Sequence, residues 1–210
     1  MTKEFHKAST MRRQPKQARS QERVHHILDV AEQLFIEFGY EQTTTRAIAI
    51  RAAIPVGSLY QFFPDKEALV RALANRYFEQ EYQIFVQLHT ELAKADIATY
   101  VERMVNAFED FAQQHPGYRA VLGQLIDLMT VTDASKFNEY DQQILVELAD
   151  FFSRRNLQLD ATQSRLIATT VVKVSNELLW LSFTREPLER KQLVKETKTL
   201  ITAYLQTYQI

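Results

Sequence analysis

The stretch from Thr43 to Lys66, TTTRAIAIRAAIPVGSLYQFFPDK, leaves little freedom in how the surrounding chain can fold. It holds two short helix-compatible runs with room between them only for a tight turn. The first runs from about Thr45 to Ala52, with Thr44 placed to cap it through its hydroxyl. Ile48 and Ala52, one turn apart, share a face. Ala53 and Ile54 form the turn, and Pro55 fixes φ where a second helix can start. That helix, Val56 to Phe63, sends Leu59 and Phe63 inward at i and i+4. It leaves Val56, Gly57, Ser58, Tyr60 and Gln61 outward. Two turns of helix with a small, polar and aromatic outer face suit a DNA major groove. Lys66 falls in the first turn of the next helix, where a cation opposes the dipole. Its expected partner is an external anion such as a DNA phosphate.

Composition sets the frame around this stretch. Four glycines and five prolines in 210 residues, with abundant Leu, Ala, Gln and Glu, imply an all-α chain. No apolar run is expected to span a bilayer, and no signal peptide is expected. The absence of cysteine excludes disulfides, thiol catalysis and thiolate metal sites. The formal net charge is −1, but the basic charge is concentrated at one end. Residues 1–23 carry seven Lys/Arg against two Glu, whereas residues 71–210 carry 15 against 18 Asp/Glu. Residues 1–20 are read as a disordered basic arm. It is either a solubilising tail or a source of extra phosphate and minor-groove contacts.

The motif has the spacing of a known family. Thr43, Thr44, Ile48, Ala49, Ala52, Gly57, Tyr60, Phe63, Lys66 and Leu69 stand at the positions of its usual pattern, and Phe62 is a conservative replacement. So many positions at fixed spacing are specific, and the segment resembles the helix-turn-helix of the TetR/AcrR transcriptional regulators. Ala53 stands where a turn glycine is usual, Pro55 where a serine is, and Ala47 where an acidic residue would close a capping box. The resemblance implies that Thr45, Arg46, Tyr60 and Lys66 meet phosphates of operator DNA, while Val56, Gly57, Ser58 and Gln61 face base edges.

Around the motif, helix one is expected from about Gln21 to Phe38, its stripe formed by Val24, Ile27, Leu28, Ala31, Leu34, Phe35 and Phe38, with Gly39 as its stop. Glu22, His25 and Asp29 invite a metal reading, but no second copy of such a motif exists, and a solvated helix face accounts for them better. Helix four covers about Asp65 to Leu92, with Leu69, Leu73, Tyr77, Ile84 and Leu88 buried. Five more helices follow. They span about Asp96 to His115, Tyr118 to Thr130, Thr132 or Asp133 to Arg155, Asp160 to Arg185, and Pro187 to near the C-terminus. The expected domains are the arm (1–20), a helix-turn-helix domain (21–70) and a larger helical domain (71–210).

Met104, Phe108, Phe111, Met129, Asn176 and Trp180 are the candidate lining of a ligand pocket in that larger domain. The same stripes equally describe a packed core. The resemblance adds a pocket between helices four and eight for a small-molecule effector. It also adds a homodimer formed by helices eight and nine, for which Leu178 and Leu205 are candidate interface residues. No cofactor, no metal and no membrane partner are expected, and the cytoplasm is the expected compartment. The leading function is a ligand-responsive DNA-binding regulator, most often a repressor. The alternatives are an architectural DNA-binding protein without an effector and a helical enzyme. The last lacks a phosphate loop, a paired metal motif or a nucleophile elbow, and is set aside.

Overall fold

The computed structural model describes residues 18–128 and 139–210. Met129, the expected start of helix seven and most of the basic arm lie outside them. Among the described residues there are nine helices and no strand: α1 Ala18–Gln42, α2 Thr45–Arg51, α3 Val56–Phe62, α4 Lys66–Glu91, α5 Ile97–Gln114, α6 Pro116–Leu128, α7 Glu139–Arg155, α8 Ala161–Phe183 and α9 Pro187–Thr207. They form two compact units. Unit one takes the described residues from 18 to Tyr77 and from His115 to 128. Unit two takes Phe78–Gln114 and the described residues from 139 to Ile210. The long helix α4 contributes to both.

In unit one, α1 buries Val24, Ile27, Leu28, Val30, Ala31, Leu34 and Phe35. Phe38, expected in that stripe, is 51% exposed, because it falls in the last turn before Gly39 breaks the helix at φ 76° and ψ 165°. Thr43 is buried beside the break, and its hydroxyl donates to the carbonyls of Gly39 at 2.8 Å and Leu34 at 3.1 Å. Helix α6 opens at Pro116 rather than Tyr118, since a proline at the first position loses no helical hydrogen bond. It packs on α1. The approach requires Gly117, where a Cβ would lie 2.6 Å from Glu32 Cγ and 2.7 Å from the Tyr77 hydroxyl. Glu32 accepts from Tyr77 and Arg76, and Arg76 also reaches Asp29 at 2.5 Å. Asp29, one turn from His25, is thus committed to an ion pair. Burial, and then the Glu32 carboxylate, push the Tyr77 phenol well above its ordinary pKa.

Unit two has its own core, which includes Phe85, Tyr100, Met104, Leu145, Phe152, Val172, Leu179 and Leu205. The α4 stripe differs from the expected one in its second half. Leu69, Leu73 and Tyr77 are buried, but Phe85, His89 and Leu92 replace Ile84 and Leu88 as the most enclosed residues. Asp96 caps α5 by accepting from the Thr99 amide at 2.9 Å and its hydroxyl at 2.7 Å. Asp160 and Gln163 close a capping box at the start of α8. By length and composition α8 could cross a bilayer, contrary to the sequence expectation, its 18-residue window having a mean hydropathy of 1.2. It packs instead against α7 and α9 within the unit.

Candidate nucleic-acid interface

The interface is built on two local stops. At the start of α2 the Thr44 hydroxyl accepts from the Ala47 amide at 3.1 Å, as a Ser/Thr N-cap should. At its end the Ile54 amide donates to Ala49 O at 3.0 Å and the Ala53 amide to Ile50 O at 3.1 Å. This is a Schellman turn with alanine in the left-handed position, φ 53°, in place of glycine. Helix α3 then starts at Val56 without a side-chain cap, as the proline at its N-cap dictates.

Helix α3 divides cleanly into two faces. Leu59, Phe62 and Phe63 are buried, whereas Gly57, Tyr60 and Gln61 are exposed and Val56 and Ser58 half-buried. Phe62 joins Leu59 and Phe63 inside because the chain turns away from the helix at Phe63, whose backbone is extended. A Cβ on Gly57 would meet nothing within 4 Å, so packing in the protomer gives no reason for glycine there. The Tyr60 hydroxyl, 2.9 Å from Thr45 Oγ1, ties the recognition face to the start of α2. Arg46 is exposed beside them.

Lys66 has an internal partner that the sequence did not indicate. Its ammonium donates to Tyr40 O at 2.5 Å and Glu41 O at 3.4 Å, and lies 3.9 Å from the centre of the Tyr40 ring. The cation at the unfavourable end of α4 therefore meets backbone carbonyls just beyond the C-terminal break of α1, where the dipole is negative. His26 was not singled out from sequence either. Its Nε2 donates to the carbonyl of Ala52 at 3.2 Å, across 26 residues of sequence. Periodicity carries no signal for either contact.

The residues expected to line a pocket are more scattered. Met104 belongs to the core of unit two and Phe108 packs against it, while Phe111 is buried on the same helix outside that cluster. Trp180 is half-buried, with the Phe183 ring 6.5 Å away edge-on, and Asn176, one turn earlier, faces solvent. Among the described residues, His89 and Tyr100 are polar groups set among the aromatic rings of unit two. His89 stacks on Phe85 at 5.0 Å, meets Phe151 edge-on at 5.0 Å, and hydrogen-bonds the Tyr100 hydroxyl at 2.7 Å through Nδ1.

A capped helix, a tight turn and a short helix with a free polar face define a helix-turn-helix DNA-binding protein. Residues 27–73 match the family described as bacterial regulatory proteins, tetR family, and residues 96–205 match the tetracyclin repressor-like C-terminal domain. The HTH-type transcriptional repressor KstR of Mycobacterium tuberculosis is 30% identical over 172 residues, covering 77% of this chain and 72% of that one. The KstR of Mycolicibacterium smegmatis is 29% identical over 168 residues, covering 77% and 78%. A solved TetR-family transcriptional regulator from Streptomyces coelicolor superposes with a TM-score of 0.65 at 24% identity, covering 89% of this chain and 99% of its own. The chain belongs to the TetR family of DNA-binding transcriptional regulators.

Proposed function

We propose that the protein is a homodimeric repressor that reads a palindromic operator with α3 and is released by a small, largely apolar or aromatic effector bound in unit two. The observation that carries the DNA reading is Gly57. A glycine inside a helix costs about 1 kcal/mol relative to alanine, and nothing in the protomer occupies the space its side chain would take. A surface that must approach a base edge closely accounts for it. Val56, Ser58 and Gln61 flank it as base-facing groups, and Thr45, Arg46, Tyr60 and Lys66 supply phosphate contacts. KstR carries the name of a repressor, which supports repression over activation. The protein works in the cytoplasm and needs no cofactor.

One two-turn helix reads too few base pairs for genomic specificity, so two copies are required. Leu166, Leu181 and Leu200 lie exposed on α8 and α9, a surface that a second copy would cover. An effector releases DNA only by binding the non-reading arrangement more tightly, and DNA must then weaken effector binding by the same factor. Helix α4, shared by both units, is the covalent route between effector and α3. His89 and Tyr100 are the polar groups that a mostly apolar ligand would meet.

Selection of duplexes from a random library with purified protein tests the reading. Enriched palindromes with half-sites about 34–36 Å apart, or a multiple of that spacing, are expected. Gln61→Ala should relax preference at one base position, at about 1–3 kcal/mol. Lys66→Ala should weaken binding to all sequences and lower the salt slope by about one unit. No enrichment refutes the DNA reading. Enrichment of sites from which no screened compound releases the protein would favour an architectural role without an effector.

A further inference from the structure

We infer that His26, on α1, is a positioning residue for the recognition helix. The inference rests on α3 being the helix that reads DNA. The Schellman turn that ends α2 satisfies the carbonyls of Ala49 and Ile50 with the amides of Ile54 and Ala53. The next carbonyls lie past the reach of α2's own amides, and a helix end leaves such groups in need of outside donors. His26 Nε2 supplies one to Ala52 O at 3.2 Å. A carbonyl only accepts, so the proton sits on Nε2.

The bond falls at a sensitive place. Ala53, the next residue, holds a left-handed φ of 53° that glycine adopts without cost and alanine does not. Only Ala53, Ile54 and Pro55 separate the held carbonyl from Val56, the first residue of α3. A rotation of the Ala52–Ala53 peptide therefore swings α3 as a rigid piece. Seven residues of helix are about 10 Å long, so a swing of about 10° displaces the far end by about 2 Å. Hydrogen bonds to base edges fail within a few tenths of an ångström, whereas phosphate attraction falls off slowly with distance. Losing the His26 bond should therefore cost sequence-specific binding and leave general DNA affinity in place.

The probes are a duplex selected from a random library by the wild-type protein and a random-sequence duplex of equal length, at one salt concentration. His26→Ala should bind the selected duplex about tenfold more weakly, the worth of one hydrogen bond, with unchanged affinity for the random duplex. His26→Gln, whose amide nitrogen reaches the same position as Nε2, should return to within about twofold of wild type. The His26 side chain is exposed, so its removal leaves the core of unit one packed, and thermal melting checks this. The inference is overturned if His26→Ala keeps wild-type affinity for the selected duplex, if it loses both affinities in parallel with its melting point, or if His26→Gln fails to rescue. If the wild type enriches no sequence at all, the reading of α3 fails first and this inference falls with it.

Discussion

Ala53 is the residue at which local geometry and side chain disagree most. A left-handed alanine costs roughly 1–2 kcal/mol, offset in part by the smaller entropy it loses on folding relative to glycine, about 0.4–1 kcal/mol. Ala53→Gly should therefore stabilise the protein by about 1 kcal/mol, raising the melting midpoint by about 2–4 °C for a chain of this size. An unchanged or lower midpoint would mean that the turn is not strained. The inward positions of Leu59 and Phe63 and the Thr44 cap were legible in sequence, because each depends on residues three or four positions apart. The partners of His26 and Lys66 were not, because each bond spans 26 residues and only the assembled fold brings the ends together. Asn176 shows the converse, a polar residue beside Trp180 in sequence that turns out to face water.

Among the helices, α4 carries the clearest pH dependence. Burial, with Arg154 adding to it and Glu147 opposing it, holds the His89 imidazole below its ordinary pKa, so the folded protein keeps it neutral. The unfolded chain binds that proton near pH 6.5. Stability contributed by neutral His89 is present above that pH and is lost as the pH falls through it toward the folded value. Melting midpoints should drop between about pH 7.5 and 5.5, with a slope of at most about 1.4 kcal/mol per pH unit from this group. His89→Gln should flatten that slope, and an unchanged slope would place the effect elsewhere. The expected burial of Ile84 and Leu88 took a seven-residue step from Tyr77, two turns of a helix with about 3.6 residues per turn. The buried residues step eight instead, to Phe85 and then His89, past the point at which α4 leaves unit one for the core of unit two. The contact between α1 and α6 is equally specific. Gly117→Ala has no room beside Glu32 and Tyr77, and overpacking of this kind costs about 1–3 kcal/mol. A melting midpoint equal to wild type would show that α6 can shift without penalty.

For the whole molecule, the assembly turns on which leucines are free. Leu205, expected at the interface, is 1% exposed in the core of its own unit, so a charge there would unfold the protomer. Leu200, 50% exposed on the same helix, is the discriminating position. Leu200→Glu should leave the melting curve nearly intact yet shift sedimentation from dimer to monomer at micromolar concentration and weaken binding to a palindromic duplex. A dimer that persists would move the interface away from this face. The placement of α6 bears on something different, the order in which the protein is made. Unit one is not contiguous, since its α1 face is covered by a helix that follows Gln114. At about 5–20 residues per second, a ribosome must add about fifty further residues after Tyr77, taking several seconds, before α6 is complete and can dock on α1. The nascent chain thus carries an incomplete DNA reader until part of unit two has been synthesised, and a fragment ending at Tyr77 is not a transplantable module.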